Sequence, residues 1–184
     1  MELVDHLEKY LGKIDMVWAD AEEPENIRVV SFWDFPFKDI VTYSTLGLSK
    51  IAFPMPDGRY IRQELVFSAY RNFNSEQIAS FLSTFAQYLF SADKALLQGD
   101  FIGPEAPIIR GTLLNSVYST VPMIFDEGLA VYYGSEPPPT VFVWIIPIHE
   151  EEANYIRGNG WDKFEDLLEK KNPELWDLTR VSVI

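Results

Sequence analysis

The side chains that could carry chemistry in this chain are few in kind. It has 28 acidic residues, two histidines and no cysteine. The lack of cysteine removes thiol nucleophiles, thiolate-held zinc and disulfide frameworks. His149 runs straight into Glu150, Glu151 and Glu152, the nearest approach to a metal-binding stretch. Successive side chains on a helix diverge by about 100°, so three consecutive glutamates point to different sides. Zinc sites also draw on at least two nitrogen or sulfur ligands at defined spacing. His149 is therefore read as a helix cap, and His6, beside Glu2 and Tyr10 on a short helical pattern, as a solvated side chain. Ser44 and Ser49 flank a Leu46-Gly47-Leu48 turn, but nothing in the sequence brings a histidine to either. There is no nucleophile elbow, phosphate loop or dinucleotide glycine pattern. No metal or other cofactor is expected.

A pair of carboxylates acting as acid and base in hydrolysis stays open, since that needs only two acids at a defined separation in a cleft. Glu64 is the acid that stands out, because it sits in the middle of a strand pattern. Its bland readings are a strand face partly open to water or a salt bridge to Arg62 or Arg71. Contact with a partner, and catalysis, are the sharper ones.

The elements that must position these residues follow from periodicity. Leu3, Leu7 and Tyr10/Leu11 mark a short helix ending at Gly12. Ile27 to Trp33 and Ile40 to Thr45 read as strands, and Pro54-Met55-Pro56-Asp57-Gly58 as a turn. Beyond it, Ile61, Gln63, Leu65, Phe67 and Ala69 share one strand face, and Arg62, Glu64, Val66, Ser68 and Tyr70 the other. Asn74 caps a helix from Ser75 to about Lys94, with Gln77 completing a capping box and Gly99 as terminator. Its apolar stripe is Ile78, Phe81/Leu82, Phe85 and Leu89. Residues 101–107 read as loop and 111–125 as one or two strands broken near Pro122. Asp126-Glu127-Gly128 reads as a turn and 134–139 as a Pro-rich connection. Val141 to Ile148 is nearly all apolar, which predicts a mid-sheet strand covered on both faces and ended by Pro147. Glu150 to Glu152 then open a helix at the positive end of its dipole. Asn159-Gly160 separates it from a last helix with Trp161, Phe164 and Leu167/Leu168 as its buried stripe, stopped by Pro173.

Length and composition fit one domain over residues 1–184 with a sizeable core: 47% of residues are apolar and 15% aromatic, unlike a disordered chain. No apolar run approaches the roughly 18 residues of a membrane span. The opening Met-Glu-Leu-Val-Asp-His lacks the basic and apolar regions of a signal peptide, so a cytoplasmic protein is expected. The net charge of −13 repels nucleic acid and anionic membranes, so neither is expected as a partner. It speeds encounter with basic partners, although it also serves plain solubility.

Aromatic residues exceed what a minimal core needs. Trp33, Phe35, Phe37 and Tyr43 cluster around Pro36, with acids at Asp34 and Asp39. One reading is core packing beside a kinked edge strand. The other is a recognition patch, with Trp33 and Tyr43 as anchors ringed by Asp34 and Asp39 for a basic partner. Asp126, Glu127 and Glu136 form a second acidic region, and Glu22 to Glu25 a third.

Four segments in fixed order carry a family resemblance. They are Thr42-Tyr43-Ser44-Thr45-Leu46-Gly47-Leu48-Ser49, Arg62-Gln63-Glu64-Leu65-Val66-Phe67, the helix pattern from Ser75, and Phe142-Val143-Trp144-Ile145-Ile146-Pro147-Ile148 leading into Glu150-Glu151-Glu152. The series resembles the Suppressor of fused domain family over roughly residues 5 to 175. The resemblance implies an α+β fold: a single domain with a central mixed β-sheet flanked by helices, like the N-terminal domain of the animal member. That member holds an extended peptide of its partner, and the resemblance matches Tyr43 to a tyrosine of the peptide site. The second domain that completes the clamp is expected to be missing here. Acidic single-domain members resemble bacterial immunity proteins of polymorphic toxin systems, including the LXG class. The implied function is that of a non-catalytic antitoxin that binds a cognate protein toxin, basic and of nuclease type. A peptide-binding regulatory module and the acid/base hydrolase are the alternatives.

Overall fold

The computed structural model describes residues 2–19, 27–103 and 106–184. The acidic stretch Glu22 to Glu25 lies outside them. In chain order the elements are α1 (Leu3–Leu11), β1 (Met16–Ala19), β2 (Arg28–Trp33), β3 (Ile40–Leu46), β4 (Phe53–Pro54), β5 (Tyr60–Tyr70), α2 (Ser75–Ala92), β6 (Phe101–Ile102), β7 (Ser116–Thr120), β8 (Val131–Tyr132), β9 (Thr140–Ile148), α3 (Glu150–Asn159) and α4 (Trp161–Lys171). Among the described residues, the nine strands join one sheet in the order β1-β2-β3-β5-β9-β7-β6, with β4 beside β5 and β8 beside β9. β5 and β9 run parallel while the other pairs are antiparallel, so the sheet is mixed, as expected.

Strand alternation builds the two faces. Val143 and Ile145 of β9 join Leu65 and Phe67 of β5 and Val41 and Tyr43 of β3 in a core covered by Ile78, Leu82, Phe85 and Leu89 of α2. Phe142 of β9 faces the other way, onto Leu7 and Leu11 of α1. Trp144, Ile146 and Ile148 pack on Ala153 and Ile156 of α3 and Phe164 of α4. β9 therefore lies between β5 and β7 and is covered on both sides, as its unbroken apolar run predicts.

Several expectations need correction. β9 runs through Pro147 to Ile148. The β5 ladder ends at Trp144, leaving only β7 alongside, so the proline's missing N–H can face the vacant side. Asn74 does cap α2, its Oδ1 accepting the Gln77 N–H at 3.0 Å. The helix stops at Asp93 in the left-handed region, not at Gly99. The short strands β1, β4, β6 and β8 exist only as partners of longer ones and carry too few residues to show a period. Trp161 is 40% exposed and leaves the buried stripe of α4 to Phe164.

Both histidines are structural. His6 is buried, with its Nε2 3.2 Å from the Leu129 carbonyl and its ring stacked on Phe142. Burial lowers its pKa, partly offset by that carbonyl. His149 caps α3 from a buried position, with its Nε2 3.0 Å from the Arg180 carbonyl. Beside it, Glu152 and Arg180 form a buried bidentate pair, Nη1–Oε1 and Nη2–Oε2 both 2.7 Å. The backbone N–H groups of His149 and Val183 complete the carboxylate's shell. This pair fastens the C-terminal segment to α3.

Candidate functional site

Two of the segments that carry the family resemblance, residues 42–49 and 62–67, meet at Glu64, which pairs with Phe142 of a third across the β5–β9 ladder. Its side chain is fully buried. Thr45 Oγ1 donates to Oε2 at 2.6 Å, and Gly47 N, Ser49 N and Ser49 Oγ donate to Oε1 at 2.9, 3.1 and 2.7 Å. A carboxylate offers only acceptors, and here four donors converge on it. The β3–β5 ladder closes at Ser44 and Val66. Past that point the Thr45 hydroxyl replaces a ladder carbonyl by accepting the Leu65 N–H at 2.8 Å. The chain can then swing outward around Glu64, and Gly47 supplies the positive φ of 121° that the turn requires. Arg62 holds the same turn from outside, Nη1 donating to the Ser49 and Lys50 carbonyls, both at 2.9 Å. Gln63 clamps the chain after α2 through Leu96, donating at 2.6 Å and accepting at 2.9 Å.

Neither bland expectation for Glu64 holds. It is closed to water, and Arg62 and Arg71 bind elsewhere. Its carboxylate already has its donors inside the fold, so a partner of the folded chain does not reach it. Tyr43 needs a similar correction. It is 1% exposed, between Trp18 and Phe67, and its hydroxyl donates to Ser75 Oγ at 2.8 Å at the start of α2. Burial raises its pKa, and the Ser75 contact partly opposes this. Tyr43 therefore docks the helix on the sheet and is not a surface anchor.

The aromatic cluster expected around Pro36 is dispersed. Phe35 packs on the α1 face, while Phe37, 56% exposed, lies edge-on to Trp176. Trp33 ends β2 at 53% exposure. What remains at the surface is Trp33 and Phe37, with Asp34 between them in sequence and Asp39 two residues beyond. The two aspartates also build the β2–β3 turn. Both have positive φ, and Asp34 Oδ1 accepts the Asp39 N–H at 2.8 Å. Arg71 bonds to Asp39 and lies 3.6 Å from Asp34, so their charge is partly balanced.

The second acidic region is open. Asp126, Glu127 and Glu136 are all exposed. Asp126 accepts the Gly128 N–H at 2.8 Å and so shapes a short helical turn over residues 127–129. A Cβ on Gly128 would lie 2.3 Å from the Tyr10 hydroxyl, so glycine lets α1 close on this turn.

Sequence reading missed a concavity of about 770 Å³ along the outer side of α2, where Phe81, Phe85 and Tyr88 line one wall and Ile102, Ile108 and Val117 another. Tyr88, one turn past Phe85 and beside the apolar stripe, was the available signal. Among the described residues no three His, Asp or Glu side chains are placed to hold a metal ion, and no helix is long and apolar enough to cross a membrane.

Comparison with known proteins agrees with the fold. The family model described as Suppressor of fused protein matches residues 23–181. Immunity protein YqcF of Bacillus subtilis (strain 168) is 28% identical over 174 residues, covering 94% of this chain and 88% of that protein. A crystal structure of a Suppressor of fused homologue from Neisseria gonorrhoeae FA 1090 has a TM-score of 0.79 at 14% identity, over 98% of this chain and 93% of that one. Drosophila Suppressor of Fused has a TM-score of 0.71 at 15% identity, over 98% of this chain but 50% of that one. The two structures share the α+β architecture. The family match takes in the Thr45–Ser49 turn, Glu64, α2 and β9, and this chain belongs to the Suppressor of fused protein family.

Proposed function

We propose that this protein is a non-catalytic immunity protein that binds a cognate toxin domain and neutralises it. The observation that carries the reading is the 28% identity to an immunity protein across 94% of the chain. The net charge of −13 favours a basic toxin, as nucleic-acid-degrading domains tend to be. Two surfaces suit such a partner. One is Trp33 and Phe37 with Asp34 and Asp39. The other is Asp126, Glu127 and Glu136. The first offers large exposed rings of the kind that become hot spots; the second offers carboxylates with fewer internal contacts.

The test is protection of cells that express the product of the gene adjacent to this one, as the candidate toxin. Trp33→Ala/Phe37→Ala and Asp126→Lys/Glu127→Lys are compared with the parent after folding is verified. Loss of protection by one pair identifies the surface, with faster release for the aromatic pair and slower association for the acidic pair. Full protection by both removes both surfaces. Failure of the unaltered chain to bind or protect removes the proposal.

A further inference from the structure

A groove of about 630 Å³ lies between α4 and the β7–β9 part of the sheet, and its lining includes none of the residues of the two surfaces named above. That volume falls within the ~300–1,000 Å³ typical of binding sites. One wall is apolar, formed by Ile124, Trp144 and Leu175, with Met123 standing 62% exposed at its rim. The other wall is α4. Asp162, Glu165, Asp166 and Glu169 all line the groove, at the i, i+3, i+4, i+7 spacing of one helical face. No lysine, arginine or histidine lines it.

The four acids are not equivalent. Glu165 Oε1 accepts Tyr118 Oη at 2.8 Å and Thr120 Oγ1 at 2.7 Å, which pins α4 to β7. Burial, reinforced by this carboxylate, raises the Tyr118 pKa and keeps the phenol a donor. Asp162, Asp166 and Glu169 are exposed. Among the described residues no cation is paired with any of them. They do not converge on a metal ion, and a second copy of a chain of charge −13 is repelled by them.

We infer that this groove docks an extended segment of a protein partner in which lysine or arginine alternates with apolar residues. The spacing fits. From Asp162 to Glu169 the helix rises about 10 Å, the span of about three residues of extended chain. Alternate residues of a strand point to opposite sides, so the basic ones meet the carboxylates of α4 while the apolar ones meet Trp144 and Met123. The inference does not rest on the toxin reading, and its test uses no toxin.

The full chain is panned against a displayed library of random dodecapeptides, and the selected peptides are synthesised and titrated. The expected peptides alternate basic and apolar residues. They shift the tryptophan emission, and Asp166→Lys/Glu169→Lys weakens them at least about tenfold. Asp166→Asn/Glu169→Gln should weaken them less, in the same direction. Asp15→Lys/Glu76→Lys, two exposed acids outside the groove given the same change of charge, should move affinity less than about threefold. The variants alter exposed positions, and an unchanged urea midpoint verifies their folding. No enrichment, selection of neutral or acidic peptides, or equal weakening by both lysine pairs would overturn the inference.

Discussion

Glu64→Ala tests whether the turn from Thr45 to Ser49 is organised by a buried carboxylate. Truncation leaves four donors without an acceptor. The Thr45 and Ser49 hydroxyls can rotate to other partners. The Gly47 and Ser49 N–H groups cannot, because the turn fixes them. An unsatisfied buried donor costs about 1–3 kcal/mol. Gly47 and Ser49 are only half-buried, so water can reach them in part and about 1 kcal/mol each is the right end of that range. The cavity left by the side chain adds about 1 kcal/mol, for a total of about 3 kcal/mol. Relief of the carboxylate's own desolvation works in the opposite direction, but the stranded amides outweigh it. Glu64→Gln should cost about 1–2 kcal/mol, since the amide oxygen keeps Gly47 and Ser49 while its NH2 opposes the Thr45 hydroxyl. Urea unfolding followed by tryptophan fluorescence gives both numbers, with the slope checked for constancy. An alanine variant within about 1 kcal/mol of the parent, or a glutamine variant less stable than alanine, would show that the four hydrogen bonds do not hold the turn.

Other outcomes follow from the same structure. Arg180 holds the Glu152 carboxyl below its ordinary value of 4.5 against the opposing effect of burial, so the pair's contribution is present above that value and lost as pH falls through the folded value. Acid titration of stability should therefore be shallower for Glu152→Gln, which should also be less stable at neutral pH, whereas exposed Glu150→Gln should match the parent. His6 has a folded pKa below its ordinary 6.5. Its contribution is full above that value and declines as pH falls toward the folded pKa, so His6→Gln should flatten the urea midpoint between about pH 7.5 and about 5.5. Phe85→Ala should cost about 3 kcal/mol, the low end for a core phenylalanine, because Phe85 packs on Phe81 and Tyr88 yet borders the open concavity along α2; urea unfolding gives the value.

Periodicity carried much of the architecture. The apolar run 141–148 and the stripe from Ile78 to Leu89 each state their burial, because an unbroken run fits only a strand covered on both faces and a 3.6-residue stripe fits a helix lying on one. The family segments were legible as a collinear series, but not why they belong together. Thr45, Gly47 and Ser49 lie 15 or more residues from Glu64, and no local pattern announces that a strand acid will be closed over by a distant turn.

The sequence alone therefore determined the longer elements and the family, since both depend on residue type and near-neighbour spacing. Only the tertiary structure decided which aromatic and acidic residues stand at the surface. Tyr43 and Glu64 have the chemistry of binding residues, yet both are buried. Trp33 and Phe37 remain exposed because Asp34 and Asp39 turn the chain outward at the end of β2. The carboxylates of α4 face a groove only because Tyr118 and Thr120 fix that helix through Glu165. Burial is set by contacts between residues far apart in sequence, and those contacts do not exist until the chain has folded.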